Sequence, residues 1–252
     1  MKFLEIDLEL ICKLAEKAGS SILEVYNRDF TVEYKEDKSP LTEADKLSNE
    51  IICSTLKKLY PEYPILSEEN KEVLYSERKG WLTYWCIDPI DGTKEFKKKN
   101  GEFTVNIALI HNGEPVLGVV YAPVLNDLYY AKKGEGAFKN SEKLPLKNNT
   151  DKKSKMYVVA SKSHLSKETQ DFIDSLDTEV VEQVSKGSSL KLCMVAEGLA
   201  DIYPRLAPTM EWDTAAADAI VREAGKMTYD FALNTPLKYN KENLLNPWFV
   251  VK

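Results

Sequence analysis

The stretch Trp85-Cys86-Ile87-Asp88-Pro89-Ile90-Asp91-Gly92-Thr93 constrains this chain more than any other. The apolar and aromatic run Trp81 to Ile87 predicts an interior strand, and it delivers two carboxylates within four residues before breaking on Pro and Gly. Acids at the end of a buried strand need a counter-charge. A divalent cation supplies one, because carboxylates and a backbone carbonyl can share Mg²⁺ in near-octahedral oxygen geometry. A plain turn is the competing reading, since Asp, Pro and Gly are common turn residues. The motif alone leaves the choice open.

Further acids stand at the edges of other elements. Apolar residues at Leu10, Ile11, Leu14, Ala18, Ile22 and Val25 predict a packing helix over Ile6 to Tyr26. After a polar interval, Tyr34 to Ser39, Pro40 leads into Leu41-Thr42-Glu43-Ala44-Asp45 and a helix running toward Leu59. Thr42 reads as its N-cap with Asp45 in the first turn, close to a capping box, and spacing alone favours that structural role. Pro61 to Leu66 predicts a short buried strand ending on Ser67-Glu68-Glu69, and the charged segment Asn70 to Gly80 reads as a mobile surface loop. Lys94 to Asn100 carries four lysines around Phe96. Such a run can neutralise an anionic substrate, although a solvated face is the commoner explanation.

Phe103 to His111 and Val116 to Tyr121 are β-rich runs flanking Asn112-Gly113, a hairpin signal. Leu128 to Ala131 and Ala137-Phe138 extend that antiparallel sheet. The polar, lysine-rich stretch Lys139 to Lys155 marks a boundary between an N-terminal α+β subdomain, 1–150, and a C-terminal α/β subdomain, 151–252. Beyond it, strands are expected at Met156 to Ala160, Glu179 to Val184 and Asp201 to Tyr203, and helices at Ser166 to Leu176 and Ser188 to Glu197, with parallel pairing. Glu211-Trp212-Asp213-Thr214 opens an alanine-rich helix through Arg222, stopped by Gly225, where Asp213 suits an N-cap or a dipole partner.

Composition narrows the function classes. At 252 residues, 29% charged and 43% hydrophobic, the chain is of a globular type able to bury a large core. A formal charge of −6 argues against nonspecific nucleic-acid binding. No secretion signal or membrane-spanning run is evident. Cys12, Cys53, Cys86 and Cys193 are scattered through apolar stretches, which fits a reducing cytoplasm. With His111 and His164 the only histidines and no CxxC, GxSxG or Walker A motif, zinc, serine-hydrolase and P-loop chemistry are disfavoured. Hard-metal phosphoryl chemistry is the favoured class.

WCIDPIDGTKEF at Trp85 to Phe96, SEEN at Ser67 to Asn70 and WDTAA at Trp212 to Ala216 resemble the inositol monophosphatase superfamily. NGEFTVNIALI from Asn100, GVVYAP from Gly118, GSSLKLCMVAEGLADIYPR from Gly187, APTMEWDTAAAD from Ala207 and LLNPWFVV near the C-terminus resemble more closely its bacterial 3′(2′),5′-bisphosphate nucleotidases of the CysQ type. The resemblance covers nearly the whole chain. Departures are mild: Leu41 replaces a commoner valine, and Lys226 stands where a second glycine often follows Gly225.

This resemblance implies an α/β, α+β-layered fold, an alternating α-β-α-β-α sandwich of the inositol monophosphatase and fructose-1,6-bisphosphatase type. It implies two or three Mg²⁺ held by Glu68, Asp88, Asp91, Asp213 and the Ile90 carbonyl, so that most ligands lie in the first subdomain and Asp213 in the second. Asp45 and Thr93 would form a dyad activating a metal-bound water, and the Gly92 and Thr93 N–H groups would hold the scissile phosphate. Ser189, Lys191 and Arg205 would receive a 5′-phosphate, and His164 would contact the base or its surroundings. The implied reaction converts 3′-phosphoadenosine 5′-phosphate to AMP and phosphate, with inhibition by Li⁺. The chain would be cytoplasmic, with peripheral association with the inner membrane face allowed, and a monomer or homodimer with no nucleic-acid partner. The alternatives are an inositol or sugar monophosphatase, a non-catalytic nucleotide sensor, and a purely structural or partner-binding protein, which would leave the clustered acids unexplained.

Overall fold

A computed structural model describes residues 5–34, 40–146, 155–160, 166–177 and 179–252. Helix α1 (Leu8–Tyr26) precedes the antiparallel pair β1 (Val32–Tyr34) and β2 (Pro40–Thr42), then α2 (Glu43–Leu59), β3 (Ile65–Ser67) and the single turn α3 (Tyr75–Arg78). Next come β4 (Thr83–Asp91), α4 (Thr93–Lys97), β5 (Thr104–His111), β6 (Glu114–Ala122), β7 (Asp127–Lys132), β8 (Gly136–Lys139) and β9 (Glu142–Lys143). The second half runs β10 (Lys155–Ala160), α5 (Lys167–Asp174), β11 (Glu179–Ser185), α6 (Leu190–Glu197), β12 (Tyr203–Arg205), α7 (Glu211–Glu223), β13 (Thr228–Asp230) and β14 (Phe249–Val251).

Strands β3 to β9 form one seven-stranded sheet in sequence order, parallel only between β3 and β4. The two-residue period of β5 explains how this sheet is covered on both faces. Val105, Ile107 and Leu109 join the cluster packed by Ile11, Ala18 and Ile22 of α1 and Ile52 and Leu56 of α2. Their neighbours Ala108 and Ile110 face Leu192 and Cys193 of α6 and Ala216 and Ile220 of α7. Beyond α6 and α7 lie the parallel pair β10–β11 and the antiparallel sheet β12-β14-β13, bridged at Val158–Ile202, with α5 packed against them through Ile173. The layers therefore alternate α-β-α-β-α. No described helix is long and apolar enough to cross a membrane, and all four cysteines are free and buried.

Four local expectations are corrected. The segment 70–80 lies at the surface as expected but is anchored at one residue: Arg78 is buried and donates to the carbonyls of Lys241 and Glu242 at 2.6 and 2.7 Å. Strand β4 does not break at Pro89 but continues to Asp91 across a register shift, with Asp88 opposite Asn106 and Asp91 opposite Thr104. The expected strand at Asp201 is displaced to Tyr203–Arg205, because the Asp201 carboxylate accepts the Tyr157 N–H at 2.8 Å and Ile202 bridges to Val158. Pairing in the second half is parallel only within β10–β11 and that bridge, the rest being antiparallel.

Candidate active site

Four chain segments converge on one cavity of about 530 Å³. Strand β4 brings Asp88, Ile90 and Asp91, the turn after β3 brings Glu68, the start of α7 brings Asp213, and Gly92 and Thr93 open α4; all line the cavity. Carboxylate oxygens of Asp88, Asp91 and Asp213 lie within 4.8 Å of one another. Asp88 is buried, and its Oδ1 accepts the Ile90 N–H at 3.0 Å. Helix α2 pins this corner through the Ser48 hydroxyl, which donates to the Pro89 carbonyl at 2.9 Å.

Crowding sets the electrostatics. Burial, then Glu68, Asp91 and Asp213, hold the Asp88 carboxyl well above the usual carboxylate range. Burial and Asp91 do the same to Asp213. Asp91 is raised by burial, while Lys191, Ser189 and Asn106 pull it back down. Such a donor set of hard oxygens, costly to ionise alone, fits a hard divalent cation.

Gly92 must be glycine: its φ is +93°, and a Cβ there would press on the Glu102 carbonyl and the Ser188 Cβ, both at 3.3 Å. The turn aims Thr93 at Asp45. The Thr93 hydroxyl lies 3.3 Å from the Ile90 carbonyl and 3.5 Å from Asp45 Oδ1, the latter at the outer limit of a hydrogen bond. Asp45 is buried, and its other oxygen accepts from the Thr42 backbone at 2.7 Å and the Thr42 hydroxyl at 2.5 Å. The capping contacts and the Thr93 contact thus use different oxygens of one carboxylate. Asp213 is likewise doubly used. It sits at the third helical position of α7 rather than at the N-cap, its Oδ2 accepting the Met210 N–H at 2.8 Å.

The basic side of the cavity holds Lys94, Lys186, Lys191 and Arg205, with Tyr203, Leu192 and Phe249 as apolar wall. Lys191 is buried, donates to the carbonyls of Ser188 at 2.7 Å and Lys186 at 3.2 Å, and is lowered to about 8, chiefly by burial. Arg205 donates to the Pro208 carbonyl at 3.0 Å. Ser189 does not line the cavity: its hydroxyl, which has one proton to give, lies 2.8 Å from both Asp91 Oδ2 and the Asp213 carbonyl, between the two acid-bearing elements. His164 lies outside the described residues.

Sequence reasoning passed over Asn106, Glu102 and Lys186. Asn106, a polar residue within an apolar strand, donates to Ser189 at 2.7 Å and lies 3.4 Å from Asp91 Oδ2. That interruption of the apolar run was a readable signal. Glu102 accepts the Gly187 N–H at 2.9 Å and lies 3.4 Å from the Lys186 ammonium, a pairing across two segments that no local pattern announces.

The family model described as "Inositol monophosphatase family" matches residues 4–247. The chain is 45% identical to a 3′(2′),5′-bisphosphate nucleotidase CysQ of Salmonella typhimurium, over 97% of this chain and 98% of that one. It is 44% identical to the protein of the same name from Escherichia coli K12, with the same coverage. Among solved structures, CysQ from Bacteroides thetaiotaomicron superposes with a TM-score of 0.85 at 47% identity, covering 95% of this chain and 94% of that one. An IMPase from Thermotoga maritima gives 0.78 at 29% identity, covering 97% and 91%. Length, fold and site motifs agree, and the chain belongs to the inositol monophosphatase family.

Proposed function

We propose that this chain is a Mg²⁺-dependent phosphoric monoester hydrolase of the cytoplasm that removes the 3′-phosphate from 3′-phosphoadenosine 5′-phosphate, yielding AMP and phosphate. The carrying observation is the juxtaposition in one cavity of three carboxylates within 4.8 Å and a separate set of cations, Lys191 and Arg205 among them. The likeness to the CysQ nucleotidases supports the same reading.

Glu68, Asp88, Asp91, Asp213 and the Ile90 carbonyl would hold two or three Mg²⁺. When bound, those ions supply a lowered pKa for an attacking water and positive charge at the phosphoryl and leaving oxygens. Thr93 and Asp45 orient that water and take up its proton through the hydroxyl-to-carboxylate contact. The Gly92 and Thr93 N–H groups face the scissile phosphate. Lys191 and Arg205 read the 5′-phosphate, Arg205 with a planar donor set suited to it. Ser189 supports the acids from behind, by its bonds to Asp91 and Asp213. An inositol or sugar monophosphatase would use the same acids but leave Lys191 and Arg205 without a phosphate to bind.

Arg205→Ala tests this reading. Loss of a charged hydrogen-bond partner should lower kcat/KM for the 3′,5′-bisphosphate roughly 10- to 100-fold, and that for the 3′-mononucleotide little. Equal losses on both substrates would mean that Arg205 does not read the 5′ end.

A further inference from the structure

Glu211, the first residue of α7, is fully buried yet does not line the cavity. A buried carboxylate is retained only with partners, and Glu211 has four donors from two distant segments. Its Oε2 accepts the Asn240 N–H at 2.8 Å and lies 3.4 Å from the Tyr84 hydroxyl of β4. Its Oε1 accepts the Lys241 N–H at 3.0 Å and the Lys241 ammonium at 2.6 Å. The segment around Asn240 is itself gripped by Arg78, which donates to Asn240 Oδ1 at 3.0 Å and to the Lys241 and Glu242 carbonyls. Asn240 returns a bond of 2.8 Å to the Arg78 carbonyl.

This knot joins the two elements that carry the acids. Tyr84 lies on β4, four residues before Asp88, and Arg78 lies just before that strand. Glu211 precedes Asp213 by two residues on α7. Carboxylates that repel one another will drift apart unless the backbones bearing them are held. We propose that Glu211, clamped through Asn240 and Lys241 to Arg78, is a positioning residue that sets the separation of Asp213 from Asp88 and Asp91, and thereby the affinity of the site for divalent cations. It touches neither substrate nor cation. The inference rests on the proposed function above, in that the three acids are taken as the cation ligands.

The test is Mn²⁺ binding, measured by calorimetry and by the electron paramagnetic resonance signal of the free ion, on wild type and Glu211→Gln. Gln keeps the size and one acceptor but not the charge. Loss of outer support should weaken Mn²⁺ binding on the order of tenfold, and KM for the nucleotide at saturating Mn²⁺ should move less than about twofold. A purely structural role would lower the cation-free melting midpoint and leave Mn²⁺ affinity unmoved. A folded Glu211→Gln protein whose Mn²⁺ affinity stays within about twofold of wild type overturns the proposal. If Glu211→Gln does not fold, Arg78→Lys, which loosens the other end of the clamp, is judged by the same criterion. A wild-type protein that binds no Mn²⁺ would instead refute the assignment of the acids as cation ligands.

Discussion

Asp88→Asn should abolish catalysis and yet make the cation-free protein more stable. Asp88 is 1% exposed and shares with Asp91 and Asp213 a cluster whose oxygens lie within 4.8 Å. At that separation and an effective dielectric of about 20, each ionised pair repels by about 3.5 kcal/mol. Asp91 and Asp213 alone then sum to about 7 kcal/mol with every acid ionised, and Glu68 adds to it; proton uptake by the cluster relieves most of this, and a net gain of roughly 2–3 kcal/mol on removing the charge is the expectation at neutral pH. Asn removes the charge and keeps a carbonyl oxygen to accept the Ile90 N–H that Asp88 Oδ1 now accepts at 3.0 Å. For a chain of this length that gain corresponds to a rise of roughly 5–10 °C in melting midpoint. The pH dependence has a definite sign. A carboxyl held above its unfolded value stabilises the fold below about pH 4, and that contribution is lost as pH rises through the higher folded value. The advantage of Asp88→Asn should therefore grow from pH 4 toward neutrality. The assay is thermal unfolding in chelator with and without added Mg²⁺: wild type rises sharply on Mg²⁺ addition and the variant barely responds. A variant that melts at or below the wild-type midpoint in chelator would refute the crowding argument.

Other perturbations separate the parts of the site. Thr93→Val keeps the shape but removes the hydroxyl 3.5 Å from Asp45, so kcat should fall about 100- to 1,000-fold with KM little changed; a loss under about threefold would remove Thr93 from proton handling. Lys191, lowered from 10.5 to about 8, is charged below that pH and neutral above it. KM for the bisphosphate should accordingly rise through pH 8 while KM for a 3′-mononucleotide does not, and Lys191→Met should remove the difference; parallel profiles for both substrates would contradict the assignment. Gly118→Ala would place a Cβ 2.1 Å from the Ala216 carbonyl and 2.8 Å from the Ala219 Cβ, forcing α7 off the sheet. That should cost about 3 kcal/mol or more, read as a melting-point fall of roughly 6–12 °C; an unchanged midpoint would show that α7 is not seated as described.

Local chemistry made much of this architecture legible. Thr42 and Asp45 form the capping box that their spacing announces, and Asn112-Gly113 closes the β5–β6 hairpin. The acids of β4 and α7 do meet, and the layer order implied by the family resemblance is the one observed. What stayed hidden depends on partners far along the chain. Arg78 sits among charged neighbours that suggest solvent, but its acceptors are carbonyls 163 and 164 residues away. Ser189, a phosphate ligand by resemblance, also has its hydroxyl 2.8 Å from both Asp91 and the Asp213 carbonyl, contacts across 98 and 24 residues that its motif does not announce. Gly118 shows its purpose only once Ala216 is packed over it. One-dimensional spacing reports helix caps and turns; it does not report which distant backbone will close on a side chain.

The central claim is that the acid cluster and the basic wall together serve a 3′-phosphate ester bearing a second, distal phosphate. Its most direct test is phosphate release at saturating Mg²⁺, comparing kcat/KM for 3′-phosphoadenosine 5′-phosphate and inositol 1-phosphate. The nucleotide should be favoured by at least about 100-fold, because a site built to pair a buried charge discriminates strongly against a substrate lacking it. Equal values, or release that persists unchanged in chelator, would contradict the account.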